Sequence, residues 1–514
     1  MAQTDVNRTI ASPYAPVQPH GLVAVFKKIV LTEKLQNPAG LLLLITMGVC
    51  IAAGIAYAGI VFGAICLAVV FGIPLVYAIV AYPKFGVIAM FIFAYSMAYL
   101  SRMGVPGPIG TVMDGLQTLL IITIIIKQKS ERNWKVFKSP ISTILLIWIG
   151  YNVVEFLNPW AASRMAWLYT IRTVAIIAFT YFILLYNINS VKYLRLLIKI
   201  WLTAAVIGAA YAFKQEYFGF TSFELAYLHS DAFIEDLLFI NGHWRKFSIF
   251  SDPVTYSYFM SVSAILSVCL ITGTRKLRSK IVYVLIAAFC LFCMLFSGTR
   301  GANVLLPIAM VLFCILKFNR FILISAIVGA LGLTFLIFVP TSNLTLYRFQ
   351  TTFRPSQDAS YNVRKQNQKR IQPYILSHPF GGGLGATGTW GQRFAPTSYL
   401  ANFPPDSGYI RVAVELGWIG LIIFCTLIFT ALKTGINNYY LIKDPELKSY
   451  CLAALLVMFA YNIGNFPQEA IVQYPSNIIF YLSLAMVTIC LRLDRKINPA
   501  PTEHLSENIA ADAY

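Results

Sequence analysis

Apolar residues along this chain gather in runs of roughly 17 to 25, the length a helix needs to cross a hydrocarbon core. Such runs lie near 39–57, 59–81, 85–101, 109–126, 141–158, 167–187, 194–213, 254–272, 281–298, 302–317, 321–339, 408–432, 449–466 and 474–491. They predict an all-α polytopic membrane protein of about 14 transmembrane helices. Ahead of the first run, Gly21 to Leu35 has an amphipathic pattern with Lys27, Lys28 and Lys34, which predicts an interfacial helix lying on the membrane. The opening is polar and contains prolines, unlike a signal peptide.

The polar breaks orient the runs. Lys127, Lys129, Arg132, Lys135 and Lys138 crowd one short connection, and Arg275, Lys276, Arg278 and Lys280 crowd another. When spans are counted alternately these sets share a face with Lys317 and Arg320, with Lys433, Lys443 and Lys448, and with Arg492, Arg495 and Lys496. Short basic loops stay cytoplasmic, so both termini are expected inside. The layout is then a cytoplasmic tail with the interfacial helix (1–38), an N-terminal bundle (39–213), a first outer loop (214–253), a core (254–435) holding a large outer loop (340–407) between spans 11 and 12, C-terminal helices (436–493) and a second tail (494–514).

Composition agrees: 58% of residues are hydrophobic and 12% charged, with a mean hydropathy of +0.69, far from the roughly 25% charged content of soluble domains. The formal charge of +19 is partly a product of the cytoplasmic loops, and no nucleic-acid partner is needed to explain it. The nine cysteines all fall in apolar runs. Cys290 and Cys293 form a CxxC by spacing only, with no His or acidic neighbour to complete a metal site, so neither metal nor cofactor is expected.

Candidate chemistry lies in the outer connections. The 340–407 loop carries Arg348, Arg354, Arg364, Lys365, Lys369, Arg370 and Arg393 against Asp358 and Asp406. Concentrated guanidinium at a membrane face suits an anionic ligand, because its fork matches phosphate oxygens and stays charged; anionic lipid headgroups are the plainer alternative. Ser297-Gly298-Thr299-Arg300-Gly301 joins two spans on the outer side, where a helix N-terminus and Arg300 aim positive charge at one place. As structure alone it is a capped turn with a snorkelling Arg. The stretch Asn362 to Leu376 predicts a helix outside the membrane, ended by His378-Pro379-Phe380-Gly381-Gly382-Gly383-Leu384-Gly385, whose backbone N–H groups, Gly383 and Gly385 included, can meet phosphate or sugar if left free. Asp406 opens the next span as a helix cap or as a general base. Arg411 and Glu415, at i and i+4, are expected to face inward and pair, with Arg411 also within reach of a ligand. Arg172 is a candidate for pairing or anion contact, with Glu155 at the same outer side. Asp252 reads first as a cap.

Together the SGTRGA at 297–302, the outer loop with its Arg-containing helix leading into SHPFGGGLG, and the VELGWIGL at 414–421 resemble the O-antigen ligase and Wzy-type polymerase family of bacterial surface-polysaccharide enzymes, over roughly residues 245 to 435. The resemblance implies a GT-C-like fold in the bacterial inner membrane and a metal-independent, inverting transfer from an undecaprenyl-diphosphate-linked glycan. The acceptor would be a second glycan or lipid A core at the periplasmic face. It places Arg300 and Arg364 at the family's diphosphate-holding arginines, with Arg354 and Arg370 beside them. The family's ligases carry a His, ten residues and a Gly at the end of the loop; here Asp406 stands at that spacing before Gly417. A carboxylate can still accept the proton of an acceptor hydroxyl, and the change leans toward polymerase or exopolysaccharide assembly. A lipid-linked oligosaccharide flippase is the rival reading, for which many spans and intramembrane arginines also serve.

Overall fold

The computed structural model describes residues 38–105, 107–240, 242–342, 344–353 and 359–499. The expected interfacial helix at 21–35 and Arg354 lie outside the described residues. The chain divides into two compact units, residues 1–78 and 79–514. The first contains α1 (Pro38–Ala58) and most of α2 (Ile60–Ala81). The functional candidates described by the structure all lie in the second.

That unit continues with α3 (Pro83–Arg102), α4 (Ile109–Glu131), α5 (Pro140–Val154), α6 (Arg164–Asn187) and α7 (Val191–Tyr217). The expected first outer loop is structured: α8 (Ser222–Leu228), α9 (Ala232–Leu238) and a two-stranded hairpin, β1 (Phe239–Ile240) with β2 (His243–Trp244). Then come α10 (Pro253–Gly273), α11 (Leu277–Met294), α12 (Arg300–Leu316) and α13 (Arg320–Phe338). The long connection after α13 holds α14 (Leu344–Thr351), α15 (Ala359–Ser377) and α16 (Gly388–Phe394), and the chain returns through α17 (Gly408–Leu441), α18 (Pro445–Gly464) and α19 (Ser476–Ile497). Among the described residues eleven helices are long and apolar enough to cross a membrane, and Gly72–Ala81, Arg300–Leu316 and Ile322–Phe338 are shorter apolar stretches. Each apolar run of the sequence falls on a helix, in an all-α polytopic membrane protein.

Burial divides the helices by role. In α10, α18 and α19 83% of the apolar stretch is buried, against 22% in α11, so the first three form the centre and α11 faces outward. Ser257, Ser261, Ser263 and Ser267 let α10 pack closely. Ser261, Ser263 and Ser267 return their hydroxyls to carbonyls one turn back, at 3.1, 2.6 and 2.8 Å, so none of these three hydroxyls is stranded. Two helices are broken on the way. A π-helical turn interrupts α6 at Arg172–Ile176, and α17 departs from helical geometry at Gly417 (φ 67°, ψ −175°). Such breaks within apolar helices need other groups to take up the freed backbone.

Candidate functional site

The turn between α11 and α12 collects arginines from three stretches of chain. Gly298 sits in the left-handed region at φ 60°, and a Cβ there would lie 3.2 Å from Nη1 of Arg348 and 3.9 Å from Cγ of Arg245. Arg245 donates from Nε to the Ser297 carbonyl (2.9 Å) and from Nη2 to the Thr299 hydroxyl (2.9 Å). Arg348, on α14, donates to the Ile240 carbonyl of the hairpin. Arg300 is the first residue of α12 and adds its charge to both: burial first, then Arg348 and Arg300, pull the Arg245 guanidinium down to about 10, with Asp252 opposing. Burial and then Arg300 lower Arg348 as well. Bringing cations together in a half-buried place costs energy, which an anionic ligand would offset.

Gly301 extends the same surface downward. A Cβ on it would sit 2.6 Å from the Tyr258 hydroxyl of α10, which donates to the Gly464 carbonyl at 3.2 Å. Arg364 lies within electrostatic reach of that hydroxyl. On α15, Arg364, Asn367 and Ile371 share one face at i, i+3 and i+7. Ile371 is buried against Val414 of α17, and Asn367 donates to Oδ2 of Asp406 at 3.2 Å. One helix face therefore links the arginine turn to Asp406. The capping position of α17 is taken by Ser407, and Asp406 precedes it with its carboxylate turned to α15, so the cap reading of Asp406 is replaced.

A further acid arrives from a segment that the sequence did not single out. Between α18 and α19, Asn465 accepts the Gly408 N–H on its carbonyl (2.9 Å) and the Ala470 N–H on its side chain (3.1 Å), fixing the segment against the start of α17. This sets Glu469 2.7 Å from Nη1 of Arg411, whose Nε is 3.2 Å from Glu415. Two carboxylates share one guanidinium there. Burial raises the Glu469 carboxyl above its ordinary value, Arg411 opposes, and Glu415 and Asp406 raise it further. Glu469 is thus a neighbour of Asp406. The only signal in the sequence was an acid in the short connection Phe466-Pro467-Gln468-Glu469-Ala470 between two apolar runs. Arg348 was among the loop cations the sequence offered for an anion, but nothing local marks it and Arg245, about a hundred residues apart, as neighbours.

The glycine run corrects an expectation. The N–H groups of Gly382 and Gly383 donate to the carbonyls of Val414 and Glu415, each at 2.9 Å, and that of Gly385 donates to Oε2 of Glu415 at 3.0 Å. Gly383 and Gly385 thus have no N–H left for phosphate or sugar. Glu415 also takes the Thr387 hydroxyl and N–H. The run is a packing knot threaded into the break of α17, where a Cβ on Gly417 would lie 1.9 Å from the Pro379 carbonyl. His378 stacks on Tyr374 with ring centroids 4.0 Å apart and ends α15, as its place before a proline suggests.

The remaining candidates scatter. Arg411 and Glu415 pair as expected, and Arg411 is further held by Glu469. Arg172 pairs with Asp114 of α4 at 3.2 Å, while Glu155 instead accepts from Asn158 at 2.8 Å. Arg370 is exposed and lies over the Tyr399 ring at 5.9 Å, off the face that carries Arg364. Asp252 caps α10, accepting from Val254 and Thr255 at 2.8 and 2.9 Å. Cys290 and Cys293 are free and buried.

Residues 283–425 match the family model described as O-antigen ligase. No curated protein matches the chain. The matched stretch contains the arginine turn, α15, the glycine knot, Asp406 and the break at Gly417, while Arg245, Tyr258 and Glu469 reach the same place from outside it. The match over residues 283–425, in a chain with many apolar helices, supports a multi-pass bacterial membrane glycan transferase of the O-antigen ligase or polymerase type.

Proposed function

We propose that this protein transfers an undecaprenyl-diphosphate-linked oligosaccharide to an acceptor hydroxyl at the periplasmic face of the inner membrane, as a polymerase of O-antigen or exopolysaccharide repeats. Arg300 and Arg364 hold the diphosphate, and Arg245 and Arg348 add to the field around it. Asp406 takes the proton of the acceptor hydroxyl as its oxygen attacks C1 of the donor sugar. The bond from C1 to the diphosphate oxygen breaks, the lipid diphosphate leaves with both electrons, and C1 inverts. Guanidinium charge meets the negative charge growing on the leaving group, a task that metal ions serve in other transferases. Asn367 aims Asp406, and Glu469 sits behind it. Arg354 is a further candidate for the diphosphate.

The observation that supports this reading most is the gathering of Arg245, Arg300 and Arg348 around one turn, joined through a single face of α15 to Asp406. The acceptor is taken as a second lipid-linked repeat because Asp406 stands where the ligases have His. The test is transfer by the purified chain in detergent, given a lipid-diphosphate-linked repeat with and without lipid A core. Polymer formed from the repeat alone is expected, and transfer only to lipid A core would make the protein a ligase. Arg300→Ala and Asp406→Ala should each lower the rate by about 100-fold or more at unchanged membrane abundance. Unaltered rates in both variants would remove the assignment, and a flippase would form no new glycosidic bond in this assay.

A further inference from the structure

At the end of α19 remote from Glu469 there is a second concentration of positive charge, and it lines a hollow. A cavity of about 630 Å³ is bordered by Lys84 at the start of α3, Lys127 and Glu131 in the last turns of α4, Lys135 just after it, and Arg492 and Lys496 near the end of α19. Five cations thus surround one carboxylate, and Glu131 is occupied by the Tyr186 hydroxyl at 2.9 Å. The wall is built rather than incidental. Lys84 is held by Asn189 (2.8 Å), and Nη2 of Arg492 donates to the carbonyls of Leu185 and Ile188 (2.7 Å each) that end α6. Nη1 of Arg492 is buried and has no hydrogen-bond partner among the described residues.

The rule that keeps Lys and Arg in cytoplasmic loops accounts for the charge on this side. It does not account for five cations from separate segments facing one hollow. Directly before Lys127, α4 exposes Ile122, Ile125 and Ile126, and Trp134 is exposed beside Lys135. A ligand that suits both parts has an anionic head and apolar chains. We propose that this cavity binds the headgroup of an anionic phospholipid, with the phosphate among Lys84, Lys127, Lys135, Arg492 and Lys496 and the acyl chains along the isoleucine flank of α4. Arg492, held by the carbonyls of Leu185 and Ile188, brings its guanidinium charge to that lining. The site lies away from the arginine turn and does not depend on the reaction proposed there.

The experiment uses the full chain purified in a neutral detergent and titrated with phosphatidylglycerol or phosphatidylcholine, with bound lipid counted by native mass spectrometry. Phosphatidylglycerol should bind in preference to phosphatidylcholine. The triple variant Lys127→Gln, Lys135→Gln, Lys496→Gln should weaken phosphatidylglycerol by about 100-fold, taking each surface cation as worth roughly a factor of five. The charge-conserving triple Lys127→Arg, Lys135→Arg, Lys496→Arg should bind as the parent does, which separates loss of charge from loss of fold. Equal binding of the two lipids by the parent protein, or undiminished phosphatidylglycerol on a folded glutamine variant, would overturn the proposal. Displacement of the lipid by micromolar pyrophosphate would assign the cavity to a soluble phosphate and overturn it equally.

Discussion

Around Gly298 and around Gly417 the chain places a glycine of positive φ, an arginine and a helix interruption, yet the two neighbourhoods are opposite in charge design. At Gly298, Arg300 helps to lower both Arg245 and Arg348, and Arg348 helps to lower Arg245, so like charge is gathered. At Gly417, Arg411 is held by Glu415 and Glu469, and Glu415 in turn takes three donors from Gly385 and Thr387. The first arrangement concentrates positive charge that an anion would offset. The second is close to satisfied as it stands and serves to hold the outer connection against α17.

The comparison breaks most sharply at Glu415. Glu415→Gln leaves a buried guanidinium short of a partner and loosens the glycine knot, so thermal unfolding in detergent should report a loss of about 3 to 5 kcal/mol. Unchanged stability would mean that the knot does not hold the loop. Arg300→Lys keeps the charge and loses the fork, so transfer should fall by about 10-fold or more with the unfolding temperature unmoved. A stability loss matching that of Glu415→Gln would make Arg300 structural and erase the contrast.

Glu469 sharpens the boundary between the two regions through pH. Its carboxyl is raised above its ordinary 4.5 by burial, so the folded protein keeps a proton that the unfolded chain releases. Its contribution to stability therefore falls as pH rises from about 4.5 through the raised value, by at most roughly 1.4 kcal/mol per pH unit. Glu469→Gln should flatten that part of the stability profile, measured by unfolding at successive pH values. An unaltered slope would place the titrating group elsewhere. The smallest effect belongs to Arg370→Ala: exposed over Tyr399 and off the Arg364 face, it should change transfer by less than about twofold and stability by no more than roughly 0.5 kcal/mol. A large loss of transfer would bring Arg370 back into the site.

The membrane class, the helices and the pairing of Arg411 with Glu415 were legible along the chain, because hydrocarbon length and helical spacing are local properties. The SGTRG turn and the Arg364 helix were legible as candidates for the same reason. What the chain could not display was which backbone N–H groups are already taken. The glycine run reads as an open cradle until Val414 and Glu415, some thirty residues away, are seen to fill it. Nor could it show that Arg348 meets Arg245 or that Glu469 joins Arg411, since each is brought there by a contact between separate segments. The sequence by itself determined that helices span a bilayer and that cations collect at their ends. Only the tertiary structure decided which of those cations meet, because charge compensation depends on distances through space that spacing along a chain does not fix.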